Sequence, residues 1–368
     1  NGVRLLVKES HSAPVAAVQI WVGFGSADEP SEHAGVAHVM EHMLFKGTKN
    51  RAPGELAHQV EAAGGHINAW TSFDETAYHL VLPKEKLSLA VDILADAVRS
   101  PTFDQHELDS ELQVILEELD GGKDDPGHLC IENIFKKAFK GHPYSRPIIG
   151  YRKTVEGMTS RKLKQLHKRF YTAGDLTVVI AGDVDAKRCK SLVKRKLGSL
   201  PKRKKRQRKL APPKQKSLRT ALTTVKDIQE AHIAFGFHIP GIQHEDTAAL
   251  DLLAIILGQG ESSRLHTRLK KERMLVSDVY AHAYTPKELG LFVVGASVPQ
   301  DRFKEAVEAL VEEVFTVTRE EVSGDELNKA ARMAMADMVY GGETAQGLAR
   351  KIGYYGVNTG DPDYEKEY

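Results

Sequence analysis

Two spacings of apolar residues alternate along the first two hundred residues, one typical of strands and one typical of helices. Short apolar runs predict strands at residues 3–8, 14–24, 176–182 and, as a pair joined by a turn, within 64–82. Apolar residues three and four apart predict helices at residues 35–46, 53–63, 84–98, 104–120, 159–171 and 185–197. This order of elements predicts one α+β domain over residues 1–200.

A similar order of elements restarts further along the chain. Strands are predicted at residues 230–237, 276–284 and 290–297, and helices at 247–258, 300–316, 323–339 and 343–357. Between the two halves, residues 201–216 combine a run of Lys and Arg with prolines, which predicts a solvated, poorly ordered linker. We therefore expect a basic linker at 201–216 and a second domain at 217–368.

Polar residues interrupt the apolar helix at 35–46, at His38, Glu41 and His42. Residues three and four apart share a helical face, so the two imidazoles stand one above the other with the carboxylate beside them. Two histidines at this spacing suit one Zn²⁺ ion, and a neighbouring carboxylate suits proton transfer from water at an open metal position. The alternative is an amphipathic core helix with two hydrogen-bonded histidines, but burying this trio without a partner would be costly.

Two histidines leave a zinc site without its third protein ligand, and the helix at 104–120 offers several acids. Glu111, Val114, Ile115 and Glu118 follow the i, i+3, i+4, i+7 spacing, which predicts that both carboxylates lie on the apolar face. Glu117 points about 100° away from Glu118. We therefore predict Glu118 as the third ligand and Glu111 as an acid that orients a ligand histidine.

The first strand of the predicted hairpin, around Asn68, Ala69 and Trp70, carries mostly polar and small side chains. This composition favours an edge position, and an open edge accepts an extended peptide through main-chain hydrogen bonds. An ordinary hairpin without a ligand fits the pattern equally well.

The helix at 247–258 resembles the helix at 35–46. Aligning the two puts other residues at the three polar positions of the first helix: Asp251 for His38, Ala254 for Glu41 and Ile255 for His42. The second domain is therefore predicted to be a metal-free copy of the first.

Charge and composition add few constraints. The net charge is +1, so the balance of charges does not indicate nucleic acid, and the basic run of the linker is weak evidence for it. No apolar run is long enough to span a bilayer. Cys130 and Cys189 form no metal-binding or redox motif. The chain shows no targeting segment, which leaves the bacterial periplasm, the bacterial cytoplasm and an organelle open.

The segment from Gly35 to Thr48 resembles the zinc-binding helix of the pitrilysin family of inverzincin peptidases, and is most similar to the mitochondrial processing peptidase and its bacterial relatives. Further matches extend over nearly the whole chain: Val114–Leu119, Glu111, Gly64–Gly65, Asn68–Ala69, Thr71–Ser72, His142–Tyr144, Phe170–Tyr171, Ala181–Asp183 and Gly360–Tyr364.

The resemblance implies two homologous α+β domains, each a mostly antiparallel sheet with helices on one side, which together form half of a clamshell around a peptide chamber. It implies a zinc metalloendopeptidase in which His38, His42 and Glu118 hold Zn²⁺, Glu41 is the general base, and the peptide pairs with residues 68–70. The family also contains non-catalytic core or assembly subunits, which usually lack part of the ligand set. A hydrolase of a non-peptide substrate fits the edge strand less well.

Active members of this family carry an Arg and, seven residues later, a Tyr in the second domain of the facing half. The matching positions here hold Lys270 and Ser277, whereas Arg273 and Tyr280 stand three residues out of register. Lys lacks the planar fork of Arg, and Ser is too short to replace a phenol. We therefore expect a dimer, or pairing with a homologous second half that supplies Arg and Tyr, and further sequence that completes the second domain.

Overall fold

The computed structural model describes residues 1–208, 210–213 and 221–366. The strands are β1 (Arg4–Glu9), β2 (Val15–Val22), β3 (His66–Thr71), β4 (Thr76–Pro83), β5 (Leu176–Gly182), β6 (Glu230–Pro240), β7 (Asp278–Tyr284) and β8 (Leu289–Pro299). The α-helices are α1 (Val36–Leu44), α2 (Glu55–Ala62), α3 (Leu87–Arg99), α4 (Gln105–Asp124), α5 (Pro126–Ala138), α6 (Arg152–Glu156), α7 (Ser160–Phe170), α8 (Ala186–Leu197), α9 (Thr247–Gly258), α10 (Phe303–Thr316), α11 (Gly324–Gly341) and α12 (Ala345–Asn358). None of the described helices is long and apolar enough to cross a membrane.

The chain forms two compact units, and each is built from separate stretches of sequence. The first unit contains Asn1–Gly121, Arg146–Lys209 and Gly341–Tyr368. The second unit contains Gly122–Ser145 and Leu210–Tyr340.

The sheet of the first unit has the strand order β1-β5-β2-β4-β3, in which β1 and β5 are parallel and the other neighbours are antiparallel. Alternate residues of β2 point to opposite faces. Val18 and Ile20 belong to the main core, whereas Ala17 and Trp21 face the other way. The sheet is therefore buried on both faces.

Helix α12 covers the face of Ala17 and Trp21. Gly353 of α12 lies so close to the Trp21 indole that a Cβ added there would stand 2.3 Å from the ring. The main core, on the other face, is packed by residues of α1, α3, α4, α7 and α8. The expected α+β class with mostly antiparallel sheets is confirmed, and α12 adds a helix on the face that was expected to be open.

The sheet of the second unit has the order β6-β8-β7, with both pairs antiparallel. This matches the order β2-β4-β3 of the first unit, and a helix follows the first of the three strands in both cases, α1 in one and α9 in the other. The predicted internal duplication is consistent with this repeated order.

The predicted boundaries at residues 1–200, 201–216 and 217–368 need correction, because two helices belong to the opposite unit. Helix α5 lies in the second unit, where Ile134 reaches Gly236 of β6 and Phe135 contacts Tyr284. Helix α12 lies in the first unit. Each helix therefore leaves its own half of the sequence and buries its apolar face on the sheet of the other half.

The expected solvated linker also needs correction in its first part. Residues 209 and 214–216 lie outside the described residues, but Arg206 and Arg208 are well packed in the first unit. The Arg206 Nη2 atom donates to the Gly23 carbonyl at 2.6 Å, and its Nε atom lies 3.2 Å from the Asp175 carboxylate. Arg208 forms ion pairs with Asp28 and Asp74. These acids are almost completely buried, so the arginines supply the charge that their carboxylates need.

We expect the Arg206→Ala substitution to lower the free energy of unfolding by about 2 kcal/mol, because hydrogen bonds to charged groups contribute about 1.5–3 kcal/mol each and Asp175 is only 2% exposed. Urea denaturation followed by circular dichroism measures this. The exposed Lys202 of the same segment is the control, and Lys202→Ala should stay within about 0.5 kcal/mol of the parent. Equal stability of both variants would mean that the segment is solvated.

Candidate metal centre

Helix α1 presents His38, Glu41 and His42, and its N-terminus is held by a buried acid. Gly35 precedes the helix with a φ of +95°, and a Cβ there would stand 2.5 Å from the Ile149 carbonyl oxygen, so only glycine fits. The Glu29 carboxylate accepts hydrogen bonds from the backbone N–H groups of Gly35 and Ala37 at 2.8 and 2.7 Å. Burial raises the pKa of Glu29 to about 8, and the two backbone hydrogen bonds act in the opposite direction.

Glu118 of α4 lies opposite the two histidines. Its Oε2 atom is 3.8 Å from Nε2 of His38 and 3.8 Å from Nε2 of His42. One ligand atom from each of the three residues lies within 4.8 Å of the other two. Two ligand atoms about 2.1 Å from a tetrahedral ion are about 3.4 Å apart, so small rotations of the three side chains would bring the set to zinc geometry.

The prediction of a buried face for Glu118 was wrong, although its carboxylate lies near both histidines. The spacing predicted a buried face for Glu111, Val114, Ile115 and Glu118. Ile115 is buried, but Val114 is 49% exposed and the side chain of Glu118 is 53% exposed. Glu118 therefore lies on an open border of the apolar stripe, where its carboxylate faces both the histidines and solvent.

Glu111 contacts the centre from behind His42. Its Oε1 atom lies 3.3 Å from Nδ1 of His42, and its other oxygen pairs with the Lys46 ammonium group. The Glu111 side chain is only 9% exposed, so the lysine compensates a buried charge. This contact fixes the His42 ring with Nε2 directed towards His38 and Glu118.

Glu41 extends from α1 towards β3. Its Oε2 atom accepts a hydrogen bond of 2.5 Å from the Thr71 hydroxyl. Burial raises the pKa of Glu41, and the Thr71 hydrogen bond acts in the opposite direction. The carboxylate is thus a better proton acceptor than an exposed one, and it stands beside the two histidines in the same helix.

The three convergent side chains fit a zinc ion by their chemistry. Burial, followed by the charge of His42, lowers the pKa of His38 to about 4, so its imidazole is neutral at pH 7. Neutral imidazole nitrogens with one carboxylate oxygen are a ligand set that Zn²⁺ prefers, and three protein ligands leave the fourth tetrahedral position for water.

Strand β3 lies at the edge of its sheet, as predicted. The Ser72 N–H group donates to the Glu75 carbonyl, so Ser72 and Glu75 form a hydrogen-bonded pair. Residue pairs of antiparallel strands alternate between hydrogen-bonded and non-hydrogen-bonded. The main-chain groups of Ile67, Ala69 and Thr71 therefore point away from β4. Consistent with this, Ala69 N–H is taken by the Asn68 side chain at 2.8 Å. An added peptide strand would therefore meet Ala69 and Thr71.

Trp70 does not present its side chain to the centre. Its ring lies on the other face of the sheet, 5.1 Å from the Trp21 ring centroid, and the Arg350 guanidinium stands over it. Among the three predicted substrate-binding residues, Ala69 thus has outward main-chain groups, Asn68 caps one of them, and Trp70 anchors the strand from behind.

The second unit lacks these groups at the matching places. Ala254 and Ile255 of α9 are buried apolar residues, and burial raises the pKa of Asp251 to about 6. The Ser277 hydroxyl donates a hydrogen bond to the Ser297 carbonyl. Tyr280 lies against Gly295, where an added Cβ would overlap its phenol, so this tyrosine is part of the packing of the sheet.

Three residues that contact the centre or hold its helix were given no individual role by the sequence pattern: Glu29, Lys46 and Thr71. Lys46 stands one helical turn after His42, and its spacing could have indicated it. Thr71 shares a strand face with Ala69 and could have been found from the alternation of β3. Glu29 lies in an irregular segment with no periodic pattern, so only the structure reveals it.

Comparison with known proteins identifies the family. Residues 4–152 match the family model described as Insulinase (Peptidase family M16), and residues 157–333 match the model described as Peptidase M16 inactive domain. An uncharacterized zinc protease of Mycobacterium leprae is 32% identical over 98% of this chain and 81% of its own length. The chain belongs to peptidase family M16. The resemblance to the pitrilysin family is thereby confirmed, and the Helicobacter pylori zinc protease PqqE is a further relative, 28% identical over 100% of this chain and 85% of its own length.

Solved structures show the same fold. The crystal structure of a protease from Helicobacter pylori matches with a TM-score of 0.87 and 28% identity, over 98% of this chain and 88% of that chain. The periplasmic protease PqqL from Escherichia coli matches with a TM-score of 0.81 and 23% identity. That match covers 97% of this chain but only 42% of PqqL. This M16 chain therefore corresponds in fold to less than half of that longer protein.

Proposed function

We propose that this M16 chain is a zinc metalloendopeptidase that hydrolyses bonds within peptides or unfolded segments. The observation that carries the proposal is the convergence of His38, His42 and Glu118, whose ligand atoms lie within 4.8 Å of one another beside Glu41. Relatives over nearly the whole chain are named zinc proteases, which supports the same chemistry.

His38, His42 and Glu118 would hold the ion, with Glu111 and Lys46 fixing the His42 ring from behind. Bound zinc would supply a Lewis acid that polarises the scissile carbonyl and lowers the pKa of a water molecule. Glu41 takes a proton from the attacking water and then delivers it to the leaving amine. The peptide lies as an added strand along the outward main-chain groups of Ala69 and Thr71.

The test is cleavage of an unstructured peptide library by the purified, zinc-loaded protein, with products identified by mass spectrometry. We expect internal cleavage that stops with a chelator and returns when zinc is added. A non-catalytic core or assembly subunit would bind without cleaving. Cleavage that persists in chelator would contradict a zinc mechanism, and hydrolysis of esters but of no peptide would contradict the substrate class.

We also propose that this chain acts with a homologous second half, because it lacks the Arg and Tyr of the facing half. Lys270 and Ser277 hold the matching positions, and the packing of Tyr280 against Gly295 argues against a shifted use of Arg273 and Tyr280. A homodimer would therefore lack donors for the charge that develops on the substrate carbonyl. Peptidase assays of the chain alone, at concentrations of known oligomeric state, and with a motif-less M16 homologue that carries Arg and Tyr, decide this. Full turnover alone, unchanged by Lys270→Ala, would contradict the proposal.

The proposed role of Glu111 in orienting the His42 ring can be tested by measuring zinc affinity. We expect Glu111→Ala to weaken zinc binding by about 10–100-fold, the usual cost of losing a partner of a ligand histidine, because the His42 ring loses its orienting contact. Competition with a chromophoric chelator measures the affinity. Glu117→Ala, on the exposed side of the same helix, is the control and should bind zinc like the parent. Unchanged affinity in Glu111→Ala would remove the orienting role.

A further inference from the structure

Thr71 connects the open edge of the sheet to the carboxylate of Glu41. Its hydroxyl donates to Glu41 Oε2 at 2.5 Å, and its main-chain groups point to the open edge of β3. One residue thus touches both the place where an added peptide strand would lie and the group that would move the proton.

The neighbouring hydroxyl fixes the direction of this hydrogen bond. Thr76, opposite Thr71 in the hairpin, donates its proton to the Phe24 carbonyl at 2.9 Å, and its oxygen lies 3.5 Å from that of Thr71. An ionised carboxylate can accept hydrogen bonds but cannot donate them, so the Thr71 hydroxyl must donate its proton to Glu41. Oε1 of Glu41 has no hydrogen bond to the described part of the chain, which leaves this oxygen for water.

We propose that Thr71 is a positioning residue: it sets the orientation of the Glu41 carboxylate relative to a peptide held on β3. This inference rests on the proposed peptidase function. A hydrogen bond from one side to Oε2 restricts the rotation of the carboxylate and so sets the position of Oε1 relative to the two histidines. Because the donor belongs to the peptide-binding strand, the spacing between base and scissile bond is fixed by a single residue of that strand.

The test compares Thr71→Val, which keeps the branched shape and the main chain but removes the donor, with Thr71→Ser, which keeps the donor. Both are assayed zinc-loaded, with the partner half if activity requires it, on one fluorescent unstructured peptide that the parent cleaves. We expect Thr71→Val to lower kcat about 10-fold with KM unchanged, since a hydrogen bond to a charged group contributes about that factor. Thr71→Ser should retain most of kcat.

Two readouts separate positioning from a general structural effect. Zinc content and binding of the same peptide to the metal-free protein, measured by fluorescence anisotropy, should be the same in Thr71→Val and the parent. In a double-mutant cycle, Thr71→Val should lower kcat no further when Glu41 is already Gln, because the group it orients is gone.

These measurements distinguish failure of the proposed peptidase function from failure of the proposed role of Thr71. If the parent and its partner half cleave no peptide, the proposed function fails and the role of Thr71 fails with it. If the parent cleaves peptide and Thr71→Val is equally fast, or if its effect persists fully in the Glu41→Gln background, only the role of Thr71 is overturned. Loss of peptide binding with unchanged kcat would assign Thr71 to the substrate strand alone.

Discussion

Replacing Glu41 by Gln should leave zinc bound and lower kcat by at least about 10²-fold. Glu41 does not belong to the group of three convergent ligand atoms, so its charge is not needed to hold the metal. It is the acid beside those ligands on α1, and a lost general base costs about 10²–10⁴ in rate. The amide keeps the size of the side chain and can still accept the Thr71 hydrogen bond, so the packing around α1 should be preserved.

Zinc content by atomic absorption and steady-state peptide cleavage measure the two parts of this prediction. Glu61→Gln, an exposed carboxylate on α2, is the matched control and should retain parental kcat. Normal turnover by Glu41→Gln with one zinc bound would overturn the mechanism. Loss of zinc from this variant would instead assign Glu41 to the ligand set and remove it as the base.

Periodicity predicted most helices and strands of the first unit, because it reports which face of an element is buried. It predicted the α1 motif, the edge position of β3 and the helix that carries Glu118. The environment predicted for Glu118 was wrong, because the i, i+3, i+4, i+7 rule marks a stripe of a helix and does not say how wide the buried part of that stripe is. Val114 and Glu118 lie on its exposed side.

The exchange of α5 and α12 between units could not be predicted from periodicity. The apolar face of α12 has the same spacing whichever sheet it covers, and the decisive contact, Gly353 against Trp21, joins residues more than three hundred positions apart. The prediction of a solvated basic linker was wrong for a related reason. Composition predicts that Lys and Arg side chains are solvated. The acids that pair with Arg206 and Arg208 are distant in sequence and lie beside them only in the fold: Asp28, Asp74 and Asp175.

Replacing Glu118 by Ala should weaken zinc binding by more than about 100-fold, beyond the usual cost of losing a supporting residue, because one of three protein ligands is removed. Glu117→Ala is the matched control on the same helical turn and should keep the parental affinity. Glu118 is 53% exposed, so in the metal-free state Glu118→Ala should unfold within about 0.5 kcal/mol of the parent.

Unfolding with and without zinc gives the second measurement. A metal that binds the folded state stabilises it, so zinc should raise the unfolding midpoint of the parent and of Glu117→Ala, and raise it much less in Glu118→Ala. This pattern separates a lost ligand from a damaged fold, since a damaged fold would lower the metal-free midpoint too. A zinc-bound crystal structure with Glu117 on the metal, or a Glu118→Ala variant that retains parental affinity, would refute the assignment.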